Sequence, residues 1–342
     1  MFQLLRFLFI FFFMAVGATV NAQTLGGGSV YNFLKLPQSP LLSAAGGVNV
    51  SYTPKDVAFA MNNPALLNEA LHLQGAANFN AYFAGIKAYQ LAGGYHSNKW
   101  KTTFGGAISY LDYGNINQTD ASGMEQGSFR PKDFVLQVSA AKTYLEKWHY
   151  GLSGKLIHSS YEQFRSTGLA FDFGLLYNDT ANLFSAGIVA KNMGAQLSTY
   201  NGEREELPFD LQIGITKRLA KAPFGFSLTL QQAHRFDTDY NDTTFNNENN
   251  FTKKPSFSTR LFNHFILATH IFFGRNLEAT LGYNVLRRSE LNLGTSGNGL
   301  NGFSAGFKAK FSRLEVQYAR AYFGRSGAYN QFGIGVNLTK KL

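Results

Sequence analysis

From residue 72 to the end, the chain alternates apolar and polar positions in twos. Phe209, Leu211, Ile213 and Ile215 fall on one face, with Asp210, Gln212, Gly214 and Thr216 on the other. Leu277, Ala279, Leu281 and Tyr283 alternate with Glu278, Thr280, Gly282 and Asn284 in the same way. Alternation over roughly ten residues is the mark of a strand whose two faces meet different surroundings. It predicts fourteen strands, at 72–83, 86–96, 100–112, 133–143, 148–160, 168–178, 182–193, 209–219, 223–234, 262–273, 276–287, 301–311, 312–323 and 328–338. An even number of antiparallel strands suits a closed barrel. Strand 182–193 alternates weakly, and Arg320 shares a face with Leu314, Val316 and Tyr318, where a charge at the bilayer midplane would cost about 2–4 kcal/mol. We expect Arg320 near the outer interface or beside a bulge.

The connections sort by parity. After even-numbered strands they are short, as at Ser97-Asn98-Lys99, Ala220-Lys221-Ala222 and Gly274-Arg275. After odd-numbered strands several are long: 113–132, 194–208, 235–261 and 288–300. Barrels of the outer membrane have short periplasmic turns and longer outside loops, an asymmetry that a soluble sandwich has no reason to show. The expected fold is therefore all-β, a transmembrane antiparallel barrel over residues 71–342.

Only residues 26–67 form a long stretch without this pattern. We expect residues 23–70 to be an N-terminal plug or periplasmic segment, with Phe59, Asn63, Pro64, Leu66 and Leu67 as plug residues, Phe59, Leu66 and Leu67 against the inner wall, and Pro64 ending any short helix over 56–62. Ahead of it, Arg6, the apolar run 7–16 and Val20-Asn21-Ala22 read as a signal peptide over residues 1–22.

Composition narrows the chemistry. The 342 residues include no cysteine, 33 Phe, 17 Tyr and 35 Gly, with only 15% charged, which suits lipid-facing strands and excludes thiol chemistry. The net charge of +10 is dispersed and forms no Lys/Arg stripe, so it points to anionic lipid or an acidic partner and not to nucleic acid. Lumen-facing Asp172, Asp210, Glu278, Glu315, Lys308 and Lys310 are expected to pair with each other or with the plug. The seven histidines form no helical metal-ligand pair, and no cofactor motif is present. His158-Ser159-Ser160 is a distant candidate for a lipid hydrolase.

Val30-Tyr31-Asn32-Phe33-Leu34, Asn63-Pro64-Ala65-Leu66-Leu67 and several further motifs resemble the PorQ family, an outer-membrane component of the Bacteroidetes type IX secretion system. The further motifs include Leu36-Pro37, Lys191-Asn192-Met193-Gly194-Ala195-Gln196-Leu197 and Glu206-Leu207-Pro208-Phe209-Asp210-Leu211-Gln212. Gly282-Tyr283-Asn284 and Arg288-Ser289-Glu290-Leu291 extend the likeness, which covers nearly the whole chain after residue 22 except loop 241–260. The resemblance implies a barrel like that of fatty-acid channels. It also implies membership of a cell-surface attachment complex with a PorZ-like surface protein and PorU-like and PorV-like components. That complex cleaves cargo and joins it to anionic lipopolysaccharide, with the chemistry in PorU, so this chain would be a non-enzymatic anchor without catalytic residues. Tyr200, Glu206, Arg287, Arg288 and Glu290 are the expected partner-docking residues on the outside loops. The competing expectation is an outer-membrane channel for hydrophobic small molecules.

Overall fold

A computed structural model describes residues 29–238, 256–291, 299–324 and 327–339. The signal-peptide expectation for 1–22 and most of loop 241–260 lie outside them.

Alternation becomes strand where both faces can be satisfied. The strands are β1 (Gln74–Ala81), β2 (Lys87–Ser97), β3 (Thr102–Asp112), β4 (Ile116–Thr119), β5 (Glu125–Phe129), β6 (Lys132–Tyr144), β7 (Trp148–Tyr161) and β8 (Phe164–Asp179). They continue with β9 (Phe184–Ser198), β10 (Asp210–Arg218), β11 (Phe224–Leu230), β12 (Phe265–Phe273), β13 (Leu277–Asn284), β14 (Phe303–Phe311), β15 (Leu314–Gly324) and β16 (Gly327–Asn337). Fourteen of them close an antiparallel barrel, each paired with its neighbour in sequence. The ring shuts where β1 meets β16, from Gln74 opposite Asn337 to Ala81 opposite Asn330. No backbone edge is left open, as spanning a bilayer with sheet requires.

The remaining two strands, β4 and β5, pair only with each other, as an exposed ribbon in the β3–β6 connection. Sequence alternation did not predict them, because neither face is buried. Three predicted strands overran their ends by three residues or more. The strand expected to reach 234 stops at Leu230. The strand expected to reach 287 stops at Asn284 and passes into a helix, Val285–Leu291. The strand expected from 262 is preceded by a helix, Phe257–Asn263, capped by Ser256 Oγ accepting from Thr259 N–H. The weak strand has a physical explanation. Against β8, β9 carries extra residues near Lys191-Asn192 and near Leu197. Asn192 takes a φ of 58°, and its N–H donates to Asp172 Oδ1 at 2.8 Å. Bulges interrupt the period of two.

The outward faces form an apolar, aromatic-rich band that includes Leu91, Val138, Leu152, Phe226, Leu281 and Ile334. Aromatic rings meet across strands there, as in Phe307–Tyr318–Phe332, with centroids 5.8 and 5.1 Å apart. Arg320 lies on this face near the far end of β15. It sits 5.7 Å from the Tyr322 ring and donates to Asn330 Oδ1 at 3.3 Å. The long connections all lie at one end of the barrel (the loop end), as the parity predicted, and the other (the turn end) has only short ones; the loop end also carries a tight β7–β8 link at Glu162-Gln163.

Candidate functional site: a lumen filled by the chain's own N-terminal segment

Residues 29–73 run down the inside of the barrel from the loop end to the turn end. The segment begins as a strap. Val30 N–H donates to Glu206 O at 3.0 Å, and the Tyr31 hydroxyl meets Ser166 Oγ at 2.5 Å. Val30 and Tyr31 pack with Val135, Ile157, Ala170 and Leu207 on the wall. Further along, Pro37 O accepts from Gln331 Nε2 (3.0 Å) and from the Tyr82 hydroxyl (3.3 Å).

A buried helix, Pro40–Ala44, follows, with Pro at its first position, where the missing N–H costs nothing. It ends at Gly46-Gly47, both near φ +90°. Ser304 Oγ donates to Ala44 O (2.9 Å) and accepts from Gly46 N–H (3.1 Å), and Asn284 Nδ2 donates to Gly46 O (3.1 Å).

The chain then turns on Asn49, whose Oδ1 accepts from the backbone of Ser51 (3.2 Å) and Tyr52 (2.8 Å). Asp56 caps a second short helix, Val57–Ala60, by accepting from Phe59 N–H, and also accepts from Gln317 Nε2 at 2.7 Å. Asn63 caps the turn Pro64–Leu66 and donates to Val50 O at 2.8 Å, tying the segment to itself.

Phe59, Asn63, Pro64, Leu66 and Leu67, the expected plug residues, are all buried here. The helix ends at Ala60, before Pro64 is reached, and Pro64 opens the next turn.

The wall receives the plug through glycines. An added Cβ on Gly151 would sit 2.5 Å from Pro64 C, on Gly94 2.6 Å from Leu71 O, and on Gly105 2.5 Å from Met61 Cε. On Gly282 it would collide with Gly46 N and Ala44 O, and on Gly187 with Val50 O. Backbone therefore lies on backbone at several points around the ring, with no room for a side chain between.

One contact is chemically dense. The Tyr52 ring stacks on His270 with centroids 3.8 Å apart, and its hydroxyl donates to Glu278 Oε1 at 2.5 Å. Glu278 is also 3.5 Å from His270 Nδ1 and 3.5 Å from Lys308 Nζ. His270 Nε2 lies 3.1 Å from Ser227 Oγ, whose other neighbour is Thr216 Oγ1 at 2.8 Å. Ser, His and Glu stand in sequence here, but the serine is engaged by Thr216 and the imidazole face is covered by Tyr52. This arrangement ties the plug to β10–β13, with Ser227 itself buried.

Other lumen charges meet ionic or amide partners. Lys155 bonds Asp172 at 2.6 Å and Asn192 Oδ1 at 2.9 Å, Lys310 bonds Glu315 at 3.0 Å, and Asp210 accepts from Gln212 and from Gln232 N–H. Lys191, brought inward by the bulge, reaches Asn62 Oδ1 at 2.5 Å.

The expected docking residues scatter. Tyr200 is half-buried against the strap and Tyr161, and burial pushes its phenol above the ordinary value. Glu206 is exposed, its carbonyl held by Val30. Arg287 turns toward the plug, where its guanidinium lies against Gly47. Arg288 holds its own loop by donating to Gly299 O at 2.6 Å, and Glu290 is exposed. Ser159 faces the lumen and donates to Asp133, while His158 points the other way, toward Thr167, so alternation separates that pair.

A closed antiparallel ring with an apolar outer band and an inward-packed N-terminal segment defines a plugged transmembrane β-barrel. Solved structures share this fold. A TodX monoaromatic hydrocarbon channel (a deltaS2 mutant) aligns with a TM-score of 0.54 at 13% identity, over 88% of this chain and 98% of that one. The CymD monoaromatic hydrocarbon channel aligns at 0.52 and 14% identity, over 90% and 97%. No family profile and no curated protein matches the sequence.

Proposed function

We propose that this chain is an outer-membrane barrel that serves as a non-enzymatic anchor for a surface assembly, the type IX secretion attachment complex. Its partners there would be a PorZ-like protein on the loop side and PorU-like and PorV-like components. The observation that carries the reading is the plug. Its backbone is seated on wall glycines and its Tyr52 is locked to Glu278, which suits a barrel that stays shut. The PorQ-like motifs supply the identity of the assembly, and many of them fall on the plug and its seats: Val30, Tyr31, Asn63, Pro64, Lys191, Glu206 and Gly282.

A second reading, an outer-membrane channel for hydrophobic small molecules, is the one the structural comparisons favour, since TodX and CymD are hydrocarbon channels. Its support is likeness of fold, and a fold hosts more than one function. Under this reading the plug must move.

One pair of measurements separates the two. Gentle solubilisation of the outer membrane, affinity capture of this chain and mass spectrometry are expected to bring down a discrete set of surface proteins. Liposomes carrying the purified barrel are expected to take up labelled toluene or fatty acid no faster than empty ones. Uptake without co-purifying partners would overturn the anchor in favour of the channel.

A further inference from the structure

At the turn end the plug does not fill the lumen. Below Tyr52 a cavity of about 480 Å3 opens between the plug bend at Thr53-Pro54-Lys55 and the inner faces of β8–β15. Its size falls within the roughly 300–1,000 Å3 typical of ligand sites. The mouth is formed by turn residues, Thr180, Leu183, Gly274 and Arg275 among them, so it opens along the barrel axis. Sideways it is sealed, because the ladder from β8 through β15 is continuous.

Five cations line it against two carboxylates. Lys308 and Lys310 are spoken for by Glu278 and Glu315. Lys55, Arg218 and Arg275 make no ion pair among the described residues; Arg218 only lies over the Phe272 ring, 4.1 Å from its centroid. Three uncompensated cations around a half-enclosed, partly apolar chamber focus a positive field at its mouth. Amide and hydroxyl groups of Asn178, Asn276 and Thr53 stand beside apolar Phe184 and Phe272. That mixture suits an extended backbone with carboxylate side chains and one apolar residue.

We propose that this vestibule binds an acidic peptide segment presented from the turn side of the membrane. A phospholipid headgroup is the poorer fit, because the sealed ladder keeps acyl chains out of the chamber. The site lies at the opposite end from the loops, and the proposal does not rest on the anchoring function.

The test uses the purified full-length barrel in nanodiscs and a fluorescein-labelled pentapeptide of four glutamates around one leucine, read by anisotropy. Binding is expected, weakening with salt as screening shortens the field. The double variant Lys55→Glu/Arg275→Glu is expected to bind roughly tenfold more weakly or worse, because each substitution reverses a charge facing the ligand. A matched variant, Lys99→Glu/Lys221→Glu, changes turn residues outside the cavity and is expected to stay within about twofold of the parent. Heat-modifiable migration in gels verifies that both variants are folded. Equal binding by the vestibule variant, equal binding of a lysine version of the peptide, or saturable phosphatidylglycerol binding with none of the peptide would each overturn the proposal.

Discussion

The Tyr52 contact makes a measurable statement about how firmly the lumen is closed. Removing its hydroxyl with Tyr52→Phe keeps the stack on His270 but deletes the bond to Glu278. A hydrogen bond to a charged group is worth about 1.5–3 kcal/mol. Glu278 retains Lys308 and His270, so the loss falls on plug seating and leaves the carboxylate partnered. At about 1.36 kcal/mol per tenfold, the population with the plug displaced should rise roughly 10- to 150-fold. The natural chain contains no cysteine, so a single Ala60→Cys in the buried second helix gives a thiol with no background. Its labelling by a water-soluble maleimide reports plug opening. Tyr52→Phe in that background should accelerate labelling by the stated factor while the barrel keeps its heat-modifiable migration. Tyr52→Leu, which also forfeits the ring stack, should go about 0.5–1.5 kcal/mol further. Acceleration by less than twofold in both variants would refute the idea that Tyr52 holds the plug.

Further outcomes follow from the same packing. Gly151→Val and Gly282→Val push side chains into plug backbone and should each destabilise the barrel by about 1–3 kcal/mol or more in urea titrations; Gly93→Ala, with nothing nearer than 3.8 Å, should change little. Asp172→Asn leaves Lys155 buried without its carboxylate and should cost about 3–5 kcal/mol, whereas Lys155→Met combined with Asp172→Leu should recover most of it; an equal loss in the double variant would show that the pair itself is required. Deleting residues 30–67 should leave a conducting pore in planar bilayers, and a closed, partner-binding barrel after that deletion would disprove the plug.

The barrel is legible in the sequence because a wall with lipid on one side and packed polar groups on the other forces a period of two. Loop parity is legible for a similar reason: one end of the ring is built only of tight turns. Legibility fails where the period is locally broken or has no burial behind it, as at the Lys191-Asn192 bulge and the β4–β5 ribbon. In the plug, Phe59, Leu66 and Leu67 announce themselves by hydrophobicity outside any strand. Tyr52 does not, since its partners His270 and Glu278 lie more than two hundred residues away in the chain. The wall glycines are equally silent, because a glycine shows that space is needed and not what fills it. Arg287 illustrates the converse error: a charged loop residue suggests the outside, yet it is bent inward over Gly47.

The route of the plug also bears on how the molecule can be made. The segment spans the lumen from end to end, leads directly into β1, and touches wall strands from β2 to β16. The last strand closes the ring against the first. Threading a chain through a finished ring whose glycines leave no clearance for a Cβ would require the wall to part. The economical order is the reverse: the N-terminal segment serves as a mandrel, successive hairpins wrap around it, and the seam between β1 and β16 is the last to be sewn. In such a molecule the part made first sets the bore of everything made afterwards.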